Sequence, residues 1–546
     1  MYNIVKREVD KKLYNKHYKI LKDPYLASIL ASRGIKKLPT YRSKLQSPFD
    51  FKEMRYLVKY LDNKIRYRDS EIIVNCDYDN DGFSGGLIFI SFIKKKYGKT
   101  LDLYINRRSE GYELTKDIVD RFYNSGKRTI IMIDKGISSY DACEYAKSLG
   151  MDVIVIDHHQ PKIDNDGKKI RPNANFVICH TLEEDVGQLC GAATSWYLCR
   201  AIDEKLAKPY VDIAGIATIV DMVSLSDEEN RKIVLKALHN IRKNRFSIDS
   251  YKLLVESLIH KDIKEINSSD FGFIIGPSIN SLCRYDRAEE FCRYIIDEQL
   301  TPHLIEEIIK INSGRKERVS ECVKEIKLDV KESDNFIICK TDRVEHSLLG
   351  LIASKFMNEY NKTTFVMQES DGYITCSARS IGFDLQKIFK YDIDINGGGH
   401  QNAVGFTMKS EDYDKFIDII EKDITFEPLY HIDFLIDDMN IVNIDFIERL
   451  EKLEPYGIDF DKPRFLIDFS KFDIGNITKM KDIHIKIEIE GINLIHFNSD
   501  ISNIDKNDLK DYISIGTINK NIWGGRKSVQ FIIDRVIRKD KCRFLL

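Results

Sequence analysis

Short apolar runs that end in an acid recur through the first half of the chain, separated by stretches of helix length. Ile72-Ile-Val-Asn-Cys leads into Asp77, Asp79 and Asp81, and Thr129-Ile-Ile-Met-Ile leads into Asp134. Val153-Ile-Val-Ile leads into Asp157, His158 and His159, and Ile216-Ala-Thr-Ile-Val leads into Asp221. A run without polar alternation fits a strand covered on both faces, so the four predict a parallel sheet. Helical periodicity at 87–96, 115–124 and 140–149 supplies the crossovers of βα units.

The pattern changes twice more. Residues 236–332 read as mostly helical, ending in an amphipathic helix over 302–327 that connects two domains. A second α/β domain is predicted for 333–428, with strands at 335–339, 364–367 and 373–379. From 429 to 546 short alternating strands such as 484–491 and 528–534 indicate a small β-barrel. Residues 1–50 are basic and tyrosine-rich and are expected to form an arm or short helices packed on the first domain, 51–235. The class is α/β: a parallel-sheet domain, a long helix, a second α/β domain and a C-terminal barrel.

At 546 residues, 43% of them hydrophobic, the chain can hold three or four domains with sizeable cores. No apolar run approaches the roughly 20 residues of a membrane span, and the N-terminus lacks a signal core. Eleven cysteines are scattered without a C-x-x-C pair, which implies reduced thiols and a cytoplasmic location. A net charge of −2 neither supports nor excludes nucleic acid, since 84 Lys and Arg remain for local surfaces.

In parallel sheets ligands gather at the carboxyl ends of strands. So many carboxylates converging there would repel one another unless divalent cations held them. Carboxylate with imidazole is a ligand set for Mn, Zn or Fe, and the mixed O/N set favours Mn²⁺ or Mg²⁺ over structural zinc. Asp77-x-Asp79-x-Asp81-Gly82 also looks like the start of an EF-hand, but it lacks the glutamate at the twelfth position and follows a strand. A single Asp after a strand is commonly a helix cap. Four such sites together favour a metal centre.

These four motifs resemble those of the DHH phosphoesterase family, and Gly397-Gly398-Gly399-His400 resembles the signature of its associated domain. Within that family the chain most resembles the RecJ single-strand-specific exonucleases. Asn106 to Tyr112, Gly276 to Arg284, Ser377 to Leu385 and Leu453 to Gly457 are similar to RecJ segments, the last at the start of its OB-type domain. The resemblance implies two-metal hydrolysis of phosphodiester bonds in single-stranded DNA, 5′ to 3′, releasing mononucleotides in recombination and repair. It implies Asp79, Asp81, Asp134, His158 and Asp221 as ligands of two divalent cations, Mn²⁺ or Mg²⁺, with Asp134 bridging them.

By the same resemblance Asp77 and Asp157 orient those ligands, and His159 contacts the scissile phosphate. The second domain is expected to close over the cleft and grip a phosphate with Ser377, Arg379, Gly397, Gly398, Gly399 and His400, helped by Arg108 and Arg284. Lys520, Trp523, Arg526 and Lys527 are candidates for guiding the strand along the barrel. The implied partners are single-stranded DNA and a single-strand-binding protein or helicase, with the chain a monomer and no membrane involved. Ser278 stands where the family usually has arginine, Cys283 where it has glycine, and Glu345 where it has tryptophan. Oligoribonucleotides or cyclic dinucleotides are the alternative substrates; a non-catalytic scaffold or a pyrophosphatase are more distant readings.

Overall fold

The computed structural model describes residues 2–545 apart from 165, 328–329, 426–428, 482, 498, 500–503 and 524–525. The chain divides into two units, one of residues 35–313 with 453–461, the other of residues 1–34, 314–452 and 462–546.

In the first unit five parallel strands, β1 (Ile72–Cys76), β2 (Asp102–Ile105), β3 (Thr129–Ile133), β4 (Asp152–Asp157) and β5 (Phe176–Cys179), lie in the order β2-β1-β3-β4-β5. Every residue of β1 and β3 is buried, the reason their sequences show no alternation. The crossovers are α2 (Asn80–Tyr97), α3 (Lys116–Asn124) and α4 (Tyr140–Ser148), preceded by α1 (Met54–Arg68). On one face Ile130, Met132, Val153 and Val155 pack with Ile118 and Phe122 of α3 and Ala142 and Ala146 of α4. Each large apolar side chain there contributes about 1.5–3 kcal/mol by leaving water.

The fourth apolar run is not a strand. It lies in a helix, Val211–Val220, here α6, which follows α5 (Gly191–Ile202), and Asp221 caps its C-terminus. From Val211 to Thr218 every residue of α6 is buried, so no polar stripe betrays the helical period and its β-branched end reads as a strand. Helix α7 (Glu228–Arg242) carries Arg231, only 1% exposed.

The segment 453–461, expected to open the barrel, packs in this first unit instead. Arg231 donates to the carbonyls of Leu453 and, at 3.0 Å, Pro455, and its guanidinium lies 4.0 Å from the Phe460 ring centroid. Ser268 Oγ donates to Tyr456 O at 2.7 Å and Arg242 to Glu454 at 2.8 Å. The strap therefore gives a buried cation two main-chain acceptors.

The unit boundary falls within helix α8 (Pro302–Ile326). In the second unit β6 (Val330–Glu332), β7 (Phe336–Lys340), β8 (Thr363–Ser370), β9 (Tyr373–Arg379), β10 (Asn396–His400) and β11 (Ala403–Lys409) form a sheet in the order β10-β11-β9-β8-β7-β6. Helix α9 (Leu349–Tyr360) buries Leu349, Ile352, Ala353 and Phe356 in one of its cores. A seven-stranded sheet follows, built on the long antiparallel pair Tyr512–Trp523 and Arg526–Arg538.

Of the expected arm on the first domain, residues 35–50 do belong to the first unit, while 1–34 do not. Tyr2–Lys6 is a strand pairing in parallel with Leu429–Ile432 and Cys542–Leu545, followed by helices Lys11–Leu21 and Pro24–Ser32, and residues 1–34 belong to the second unit. Those strand partners lie more than 400 residues away in sequence, beyond any local pattern. Among the described residues no helix is long and apolar enough to cross a membrane.

Candidate metal centre and anion-binding cluster

Three strand ends and one helix end supply the first unit's centre. After β1 the chain turns so that Asp79 caps α2, accepting from the N–H groups of Asp81 and Gly82 at 2.8 and 3.1 Å. Asn280 braces the same turn by accepting from Asn80 N at 2.9 Å. Asp81, at the start of α2, accepts from Gly191 N at 2.5 Å and Ala192 N at 3.0 Å, the first N–H groups of α5. A carboxylate at a helix N-terminus is favoured by the exposed donors there.

Asp134 leaves β3 with φ of +62°, a left-handed conformation that Asp tolerates better than most residues. Gly191 is required beside it: a Cβ there would meet Asp134 Cβ at 2.5 Å and Oδ1 at 2.6 Å. His158 Nε2 then lies 3.2 Å from Asp134 Oδ1, 3.6 Å from Asp221 Oδ2 and 3.8 Å from Asp81 Oδ2. Three overlapping groups have ligand atoms within 4.8 Å of one another: Asp134-His158-His159, Asp81-His158-Asp221 and Asp77-Asp79-Asp134. Asp134 joins two of them.

The donor set fits divalent cations. Asp134 Oδ1, Asp221 Oδ2 and Asp77 Oδ1 are buried and make no hydrogen bond among the described residues, an expensive arrangement unless an ion takes the lone pairs. Burial and the neighbouring Asp79 charge push Asp77 up to about 7 and Asp81 up to about 6. Burial and the charges of Asp81 and Asp79 raise Asp134 and Asp221 well above the carboxylate range.

Asp77, expected only to orient ligands, thus sits with an open oxygen inside a ligand group. Asp157 differs. Its Oδ2 accepts from Ile137 N at 2.9 Å, and its Oδ1 from His158 N at 2.7 Å and His159 N at 3.2 Å. His159 Nδ1 lies 2.8 Å from both Asp157 Oδ1 and the Tyr112 hydroxyl. Burial opposes the imidazolium, but Asp157 outweighs it and raises His159 to about 9.

Two neighbours escaped the sequence reading. Tyr112 reaches His159 from the loop after β2, within a motif in which it carried no assigned role. Lys135, 0% exposed, makes no Nζ hydrogen bond among the described residues and lies 5.9 Å from the Tyr112 ring centroid. Burial lowers its pKa, and the neighbouring Asp77 and Glu113 charges oppose that shift. A lysine beside Asp134 was visible in the sequence; its burial was not.

The Arg108 guanidinium lies 4.9 Å from the ring centroid of Tyr78, the residue between Asp77 and Asp79, and Arg284 ends the helix Gly276–Arg284. Ser278 in that helix is 2% exposed, donates to Ile274 O at 2.8 Å and accepts from Asn312 at 3.1 Å. It ties this helix to Asn312 of α8.

In the second unit Arg379 donates to Ser377 Oγ at 3.2 Å and to Ala378 O at 2.8 Å. Both face the start of α9, where a Cβ on Gly350 would meet Arg379 Nη2 at 2.8 Å and Ser377 Oγ at 3.1 Å. A helix start, a guanidinium and a hydroxyl together are groups that could hold an anion. Gly397, Gly398 and Gly399 lie in β10, paired with β11. As the edge strand, β10 still leaves alternate N–H groups outside the ladder. The His400, Trp523 and Arg526 side chains lie outside the described residues; Lys520 pairs with Glu451 at 2.8 Å and Lys527 is exposed.

Comparison with known proteins agrees with this architecture. The DHH family N-terminal domain matches residues 71–220, the DHHA1 domain 333–425 and the RecJ OB domain 432–535. The single-stranded-DNA-specific exonuclease RecJ of Bacillus subtilis is 26% identical over 93% of this chain and 67% of its own length. RecJ of Escherichia coli is 23% identical over 94% of this chain and 96% of its own. The crystal structure of RecJ in complex with Mn²⁺ from Thermus thermophilus has a TM-score of 0.81 at 20% identity, covering 98% of this chain and 79% of that one. A second crystal structure of that protein, in complex with Mg²⁺, has a TM-score of 0.74 at 19% identity, covering 99% and 79%.

Proposed function

The chain belongs to the DHH phosphoesterase family and is most like the RecJ exonucleases, and from that premise we propose that it hydrolyses single-stranded DNA from the 5′ end, releasing mononucleotides. The observation that carries the reading is the convergence of Asp79, Asp81, Asp134, His158 and Asp221, with Asp134 Oδ1 and Asp221 Oδ2 buried and open. Two divalent cations, Mn²⁺ or Mg²⁺, held by these groups and Asp77, supply charge neutralisation and an activated water for in-line displacement at phosphorus.

The protein's own residues do the rest. Asp157 fixes the His159 ring through Nδ1, which leaves Nε2 to donate to the scissile phosphate as its charge grows. The α5 N-terminus aims Asp81 and offsets part of the burial that raises its pKa. Within the second unit Arg379, Ser377 and the start of α9 hold a substrate phosphate, with β10 edge amides as further contacts. Within the first unit Arg108 and Arg284 are separate phosphate contacts. The enzyme acts as a monomer in the cytoplasm, on strands exposed by a helicase or coated by a single-strand-binding protein.

The test is single-stranded DNA labelled at either end, incubated with Mn²⁺ beside Asp134→Ala and an EDTA control. Immediate release of labelled mononucleotide from the 5′ label, lost in both controls, is expected. Activity in Asp134→Ala would sink the assignment, and hydrolysis of only short RNA or cyclic dinucleotides would replace the substrate.

A further inference from the structure

Helix α1 has two faces of opposite chemistry. Met54, Leu57, Leu61 and Ile65 are buried at helical spacing. On the other side Arg55, Tyr56, Arg66 and Tyr67 are all exposed. Residues 52–68 hold six cations and two carboxylates; Lys52, Lys64, Arg66 and Arg68 pair with Glu183, Asp152, Asp62 and Glu71, and Arg171 engages Glu53, so among the described residues Arg55 and Lys59 are the exposed cations of this face outside a salt bridge.

A basic helix face is ordinarily just a solvated face. Two features set this one apart. Tyr56 and Tyr67 are 69% and 76% exposed and stand eleven residues apart, three turns along one side of the helix. At the C-terminal end, Arg66 and Tyr67 also line a cavity of about 370 Å³ with Lys96, Tyr97 and Lys99 at the end of α2. The Arg66 guanidinium lies 5.3 Å from the Tyr97 ring centroid. Lys96 and Lys99 pair there with Asp203 at 3.0 Å and Asp69 at 3.1 Å, solvent-accessible pairs that a phosphate can replace at little cost. The cavity lies at the C-terminal end of α2, whose N-terminal end carries Asp81 of the metal centre.

We propose that the outer face of α1 is a second, non-catalytic track for single-stranded nucleic acid, ending in a cavity that receives one nucleotide. Cations at successive turns match a phosphate backbone, and exposed tyrosines offer stacking faces to unpaired bases. Fifteen residues of helix give a track about 22 Å long, enough for several nucleotides. Duplex DNA, whose bases are already stacked, gains less from it. The track goes beyond the hydrolytic reading, uses none of its residues and needs no metal.

The test is binding of a labelled single strand of about 40 nucleotides in EDTA, by fluorescence anisotropy. Tyr56→Ala/Tyr67→Ala and Arg55→Glu/Lys59→Glu are each expected to weaken binding about tenfold. The charge variant should also lower the slope of log K against log salt by about 1.4, two phosphate contacts on a single strand. Cleavage of a strand too short to span both sites, about 5 nucleotides in Mn²⁺, should stay at the wild-type rate and reports folding. Unchanged affinity and salt slope would overturn the track, as would an equal loss on the short strand. Loss of binding to phosphatidylserine vesicles, with DNA affinity intact, would overturn it in favour of a membrane surface. A wild-type protein that binds in EDTA yet cleaves nothing would instead refute the proposed reaction alone.

Discussion

Gly191→Ala sets two physical effects against each other. Alanine is the better helix former by up to about 1 kcal/mol, so helix propensity alone predicts a stabilised or unchanged protein. The structure predicts the reverse. The new Cβ would lie 2.5 Å from Asp134 Cβ, and restoring an ordinary contact of 3.4 Å moves Asp134 or the start of α5 by the better part of an ångström. Overpacking of that kind costs about 1–3 kcal/mol.

Function suffers more than stability, because Asp134 belongs to two ligand groups and Gly191 N holds Asp81. A misplacement near 1 Å costs roughly 100-fold in rate, equivalent to about 2.7 kcal/mol. Metal affinity should fall about 10- to 100-fold. Single-turnover cleavage of 5′-labelled single-stranded DNA gives the first quantity, and calorimetric Mn²⁺ titration the second. Gly314→Ala in α8, with open space around its Cβ, is the matched control and should be neutral or stabilising by about 0.5–1 kcal/mol. Wild-type rate and Mn²⁺ affinity in Gly191→Ala would refute the argument.

Three further outcomes follow from the same geometry. Asp77 and Asp81, raised to about 7 and 6, contribute stability below the ordinary carboxylate pKa that is lost as pH rises through this window. In EDTA the Tm of wild type should therefore fall from pH 5 to 8 more than that of Asp77→Asn/Asp81→Asn, and Mn²⁺ affinity should rise over the same range; an identical pH response of both proteins would refute this. Asp157→Asn removes the carboxylate acceptor for Ile137, His158 and His159, so the His159 pKa should drop from about 9 and the rate about 100-fold; an unshifted His159 NMR titration would count against it. Arg231→Met strips the strap carbonyls of their donor and should destabilise the protein by about 1–3 kcal/mol in urea denaturation, an undiminished midpoint being the contrary result.

Local sequence carries far when one segment contains both the element and its chemistry. In β1, β3 and β4 the buried run and the acid that ends it are contiguous, and a parallel strand delivers its last residue to the sheet edge whatever surrounds it. The seam between apolar run and Asp77, Asp134 or Asp157 was therefore legible, as were the crossover helices and α8. Asp221 was legible as an acid that joins the cluster but not as a helix cap, since a fully buried helix and a buried strand share one apolar signature.

Tertiary structure alone decided what depends on partners distant in the chain. Tyr2–Lys6 finds its strands more than 400 residues away, and segment 453–461 becomes a strap because a buried Arg231 needs its carbonyls. The open oxygen of Asp77, the burial of Lys135 and the hydroxyl of Tyr112 on His159 arise from packing. A sequence pattern records what each residue prefers; burial, hydrogen-bond satisfaction and local charge are properties of its neighbours, and those exist only once the chain has folded.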